Sequence, residues 1–371
     1  MANLSETSTT ENSFDTLQEY QVEGDNDIAM SLSLGTKWML QTVPVFILVL
    51  GTFGNIMIIL LFSRSRSFSS LNLFFEALAI SDLCLLYSGL FPLWIEHTFG
   101  FVLANTHKVA CKLIRLFYYT VGILSAWIVV AMTTQRAASV VWPHKVNVMC
   151  TIRNARYYVI AMTAFFLMVN SHFLYGVTHV TDINGTFMWC GTGVGAEEYR
   201  FFLYKIWPWV DTFLFSLFPV IILIVSNSVI VWKVTDSVRK ARVTLASGQS
   251  DQLSSRTKKV SSMTLTLIAV SLAFFLLTAP LCAHFIILPY LTPYSERDHL
   301  GQEIIMFAYQ LMNLLWYTNS AINFYLYCLT GTNFRNDACI MLCLTKKETI
   351  MASNTQTSQT VISEKADETE F

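Results

Sequence analysis

Seven apolar runs, each close to the thickness of a bilayer's hydrocarbon core, decide most of what this 371-residue chain can become. They cover Met39–Phe62, Leu71–Trp94, Lys112–Ala138, Tyr157–Val177, Phe201–Trp232, Val260–Leu291 and Ile304–Leu329. A helix rises about 1.5 Å per residue, so about 20 residues cross a core of about 30 Å. Hydrocarbon offers no partner for a backbone N–H or C=O, and a helix satisfies both internally. Composition agrees: 54% of residues are hydrophobic and 13% are charged, too apolar for an ordinary soluble domain. The expected fold class is an all-α membrane protein, a seven-transmembrane helix bundle followed by a short amphipathic eighth helix. The expected divisions are a disordered tail over residues 1–37, the bundle over 38–331, the amphipathic helix over 332–344 and a second disordered tail over 345–371.

Charge orients the chain. Residues 1–37 hold Glu6, Glu11, Asp15, Glu19, Glu23, Asp25 and Asp27 against a single Lys37. Arg64 and Arg66 follow the first run, Lys145, Arg153 and Arg156 follow the third, and a basic cluster from Lys233 to Lys259 follows the fifth. Basic residues collect on the cytoplasmic side, which predicts an external N-terminus and a cytoplasmic C-terminus in the plasma membrane. The sequons at Asn3 and Asn184 then face outward, as glycosylation requires. Cys111 and Cys190 also face outward, where oxidising conditions favour a disulfide; two free thiols are the alternative. Cys339 and Cys343 fall in the amphipathic segment, near enough to the interface for palmitoylation.

Polar groups at membrane depth are costly and point to function. Asp82 lies in the second run, and Asn319 and Asn323 lie four residues apart on one face of the seventh. Several class-level readings lose support. The net charge of −1, with no separate basic domain, argues against nucleic acid. HExxH, GxSxG and P-loop patterns are absent, which argues against an enzyme. No inverted halves favour a transporter or channel, the more distant alternative.

The end of the seventh run reads Asn319-x-x-x-Asn323-Phe-x-x-Tyr327, then a break and Phe334-Arg335. This pattern resembles the rhodopsin-like (class A) G-protein-coupled receptors, with Phe324 where that family usually carries proline. The variant is similar to invertebrate neuropeptide receptors of the FMRFamide, myosuppressin and sex-peptide type. The resemblance implies a sodium pocket at Asp82, Ser125, Asn319, Ser320 and Asn323; a structural hydrogen-bond network is the other reading of those residues. It implies a switch at Arg136, Phe274, Pro280 and Tyr327. Gln135 precedes Arg136 where a carboxylate is usual, and Thr278 stands where a tryptophan is usual. It also implies a heterotrimeric G protein and an arrestin-like protein as partners, an allosteric sodium ion, and no other cofactor.

The ligand class follows by elimination and by chemistry. Tyr118 stands where amine receptors carry aspartate, and Tyr317 stands where an opsin carries its Schiff-base lysine. Glu96, Arg115, Tyr118, Tyr119, Asp211, His284 and Tyr317 form an expected outer cup of mixed charge and aromatic surface. Such a cup suits a short amidated peptide, whose guanidinium would pair with Asp211 or Glu96. A chemosensory or lipid ligand is the alternative.

Overall fold

The computed structural model describes residues 6–64, 69–181, 188–193, 196–245, 251–295 and 299–342. Eight helical elements organise it. These are α1 (Glu6–Ser63), α2 (Ser70–Phe99), α3 (Lys108–Val141), α4 (Ile152–Gly176), α5 (Glu197–Asp236, running on to Leu245), α6 (Asp251–Ser295), α7 (His299–Thr330) and α8 (Thr332–Met341). Six stretches among the described residues are long and apolar enough to cross a membrane: Asp25–Ser63, α2, α3, α4, α5 and Leu265–Leu288. The 32 residues of α7 are also long enough, at about 48 Å, but buried Gln310, Asn313, Asn319 and Asn323 dilute its hydropathy. Antiparallel strands β1 (Val177–Thr181) and β2 (Met188–Thr192) form a hairpin between α4 and α5 that hydropathy does not reveal.

Local chemistry sets the starts of the helices. Ser69 caps α2 by accepting from Asn72 N–H, His107 caps α3 at Val109, and Thr151 caps α4 at Asn154. The N-terminal expectation needs correction. Residues 1–37 were expected to lack structure, yet α1 runs unbroken from Glu6. No proline precedes Pro44, and once a membrane helix is nucleated each added residue gains a hydrogen bond at little cost.

Small residues set the closest approaches. Gly51 and Gly54 of α1 face α7, and a Cβ on Gly54 would meet the Phe324 Cβ at 2.9 Å. Phe324 is therefore seated over a glycine and is 6% exposed, against the Phe53 ring at 5.9 Å. α8 is docked by an aromatic knot: Phe334 packs on Phe62, Phe324 and Tyr327, and Tyr327 packs on Phe75.

Candidate functional site

Toward the hairpin end, α3, α5, α6 and α7 enclose a cavity of about 110 Å3. Its lining includes Tyr118, Tyr119, Asp211, Cys282, Tyr309 and Trp316. Three of the seven expected ligand residues therefore reach it: Tyr118, Tyr119 and Asp211. Asp211 has no ion pair and no hydrogen bond among the described residues, so neither Lys205 nor Arg115 neutralises it. A carboxylate in an apolar enclosure without a cation is expensive, and a ligand cation would relieve it.

The other four expected residues are placed elsewhere. Arg115 does not face the cavity; its guanidinium donates to the Cys190 carbonyl at 3.1 Å. Glu96 is exposed near the end of α2, where its carbonyl caps the helix by accepting from Gly100 N–H. His284 packs on Tyr309, ring centroids 5.6 Å apart, and does not line the space. The Tyr317 hydroxyl donates to Tyr118 Oη at 3.4 Å, and both tyrosines crowd Gly89 of α2, where any side chain would collide with them. Tyr309, Trp316, Phe215, Phe285 and Cys282 were not foreseen as lining, because nothing in their types separates them from the many similar residues of the spans, and nothing local assigns the polar Asn313 to this cavity. The Trp316 ring lies edge-on to Tyr118 and Phe215, each at 5.5 Å, and Phe215 reaches Phe274 at 6.2 Å. An unbroken aromatic path thus leads from the cavity to the middle of α6.

A lid crosses this end. Cys111 and Cys190 form a disulfide with their Cα atoms 5.5 Å apart, tying β2 to the start of α3. Cys190 N–H donates to Asn105 Oδ1 at 2.8 Å, and Lys112 Nζ donates to the Leu174 carbonyl at 2.7 Å.

Deeper in the bundle, Asp82 is fully buried. Ser125 Oγ of α3 donates to one carboxylate oxygen at 2.8 Å, and Asn323 Nδ2 of α7 donates to the other at 2.7 Å. Ser320 lies beside the carboxylate, and its backbone carbonyl accepts from Asn55 Nδ2 of α1. Three helices therefore meet at this carboxylate, and α1 joins them through Ser320. Asn319 is buried one turn away and makes no side-chain bond to Asp82 among the described residues.

At the opposite end of the bundle, Arg136 is half-buried near Cys150. Gln135 Nε2 donates to Ser70 Oγ at 2.6 Å, and Ser70 Oγ donates to the Cys150 carbonyl at 2.8 Å. Thr330 Oγ1 of α7 donates to Thr266 Oγ1 of α6 at 2.8 Å. Phe274 is buried on α6, and Pro280 lies in the same unbroken helix. The Tyr327 hydroxyl is buried without a hydrogen-bond partner among the described residues. Cys339 is half-buried in α8; Asn3, Asn184 and Cys343 lie outside the described residues.

Residues 54–327 match the 7 transmembrane receptor (rhodopsin family). Neurotensin receptor type 1 of Mus musculus is 24% identical over 340 residues, which cover 85% of this chain and 78% of that protein. The FMRFamide receptor of Drosophila melanogaster is 22% identical over 314 residues, covering 80% of this chain and 52% of that receptor, so the match spans about half of its length.

Proposed function

The chain belongs to the rhodopsin family of seven-transmembrane receptors, and from that premise we propose that it binds a short extracellular peptide and activates a heterotrimeric G protein. The observation that carries the ligand class is Asp211, a carboxylate facing an aromatic cavity with no cation beside it. The two relatives are named for neurotensin and FMRFamide, both peptides, which supports the same reading. A cavity of about 110 Å3 is close to benzene-sized, so it takes one side chain and not a peptide's body. The cationic or aromatic tip enters between Tyr119 and Asp211, while the remainder lies against the hairpin lid and the exposed Glu96. The volume also favours the second reading, a small-molecule ligand filling the cavity alone.

The external N-terminus and cytoplasmic C-terminus belong to this reading, resting on the basic clusters of the sequence. So do outward movement of α6 about Pro280, with Arg136 at the G-protein end, and arrestin recognition of the tail over 345–371. A hard cation such as sodium fits the buried carboxylate, hydroxyls and carboxamide of Asp82, Ser125, Ser320 and Asn323, all potential oxygen ligands. When bound it would neutralise Asp82.

The test is a library of amidated peptides applied to cells expressing the full chain, with calcium and cyclic AMP recorded. Asp211→Asn should lower the potency of an active peptide about tenfold or more, as loss of a charge-assisted contact predicts. If Asp211→Asn and Glu96→Gln both keep full potency, the pairing is wrong. Responses to small molecules only would favour the second reading.

A further inference from the structure

A second, larger opening lies apart from the enclosed cavity. A groove of about 490 Å3 runs between α1 and α2 on the bundle's outer surface, within the size range of sites for small organic ligands. In a membrane protein that surface meets lipid, so its occupant arrives from the bilayer. Val45, Leu48 and Val49 make an aliphatic wall on α1. Tyr87, Phe91 and Trp94 make an aromatic wall on one face of α2, successive ring centroids 5.9 Å and 6.1 Å apart. Two backbone features shape the slot: Pro44 sits in α1 just before Val45, and a π turn over Leu86–Leu90 carries Tyr87.

One polar feature interrupts the apolar lining. The Thr52 and Tyr87 hydroxyls meet at 3.1 Å, while Tyr87 is 49% exposed. Two hydroxyls hold two O–H groups, and the bond between them uses one. Among the described residues the second O–H has no acceptor. Hydrocarbon supplies none, and an unmade hydrogen bond costs about 1–3 kcal/mol there.

We propose that the α1–α2 groove is a binding site for a sterol-class lipid, a flat rigid hydrocarbon with one hydroxyl that completes the Thr52–Tyr87 pair. Rigidity decides the class. A flexible acyl chain held between two walls loses rotamer freedom, whereas a fused ring has little to lose. Facing walls of rings and branched aliphatic side chains also suit a flat body, and the single leftover O–H calls for a single oxygen.

The site is independent of the ligand cavity, so its test needs no agonist. The full chain in phosphatidylcholine vesicles is labelled with a photoreactive sterol, and the labelled peptides are mapped. In parallel it is labelled with a phosphatidylcholine carrying the same photoreactive group on an acyl chain. The expected result is sterol labelling concentrated in segments 45–53 and 87–94 and competed by unlabelled sterol. The Thr52→Val/Tyr87→Phe variant should reduce that labelling about five- to tenfold, the loss of one buried hydrogen bond. Val49→Trp should block the slot and abolish it, with near-normal surface expression as the folding control. Equal labelling by the acyl probe, uncompeted by sterol, would mean ordinary lipid contact and overturn the proposal. So would sterol labelling that is unchanged in both variants or that maps elsewhere.

Discussion

Gln135 stands beside Arg136 where a carboxylate would restrain the guanidinium by charge, and its amide instead reaches Ser70. The Ser70–Cys150 link then anchors the segment after α3, so Gln135 positions a loop and supplies no charge of its own beside Arg136. Gln135→Asp should lower basal second-messenger output about fivefold, the equivalent of about 1 kcal/mol from a partly exposed ion pair. Equal basal levels in the two proteins would refute this. The Thr330–Thr266 bond is a second restraint, joining α7 to the helix proposed to swing. Thr266→Val keeps the bulk and removes the hydroxyl that joins α6 to α7, a hydrogen bond worth about 1 kcal/mol, so basal output should rise about fivefold. A variant as quiet as the wild type would show that the bond is not broken on activation. The absence of a carboxylate at position 135 was legible in the sequence. Its bond to Ser70 was not, because the two residues are 65 positions apart and nothing local pairs them.

Two of the helical elements, α2 and α5, change pitch at three places for a shared reason. π turns over Leu86–Leu90, Phe202–Ile206 and Phe213–Leu217 each end two residues before a proline: Pro92, Pro208 and Pro219. A helical proline brings no N–H and its ring clashes with the carbonyl four residues back, which is the middle residue of each π turn. Widening the turn relieves that clash. Pro44 and Pro280 sit in helices without such widening, so proline permits the change and packing decides it. At Phe213–Leu217 the packing is visible. Phe218 N–H bonds the Phe213 carbonyl, which leaves the Leu214 carbonyl facing a proline with no N–H. Trp127 Nε1 of α3 supplies the missing donor at 2.9 Å. The π turn adds about one residue, or about 100° of rotation, between Asp211 and the rest of α5. Pro219→Ala restores the N–H and lets the turn tighten, which rotates Asp211 relative to its neighbours. Peptide potency should then fall about tenfold or more at normal surface expression, like a lost charge-assisted contact. Unchanged potency would mean that α3 alone holds the π turn. The spans themselves were legible, since about 20 apolar residues have few other fates. The π turns were not, because the sequence marks the prolines and not the contacts that choose among them.

At the scale of the whole molecule, Asp82 is the joint that lies between the two ends of the bundle. Its carboxylate joins α2 to α3 and α7, and Ser320 extends the link to α1. The residues of this centre were legible because a charge at bilayer depth has few explanations; which of them touch the carboxylate was not, and Asn319 stands one turn off. A cation held there would favour the arrangement of α2, α3 and α7 seen here. A peptide that favours a different arrangement must then weaken cation binding, and linkage requires the cation to weaken peptide binding by the same factor. Replacing choline with sodium at constant ionic strength should therefore lower agonist affinity in the wild type, by about fivefold or more at typical coupling energies. Holding ionic strength fixed removes simple screening as the cause. Asp82→Asn is nearly isosteric, can still accept from Ser125, and carries no charge, so its affinity curve should be flat in sodium while its surface expression stays close to normal. A wild type insensitive to sodium would leave the Asp82 centre as a hydrogen-bonded joint alone. A variant as sensitive as the wild type would put the cation at another place in the bundle.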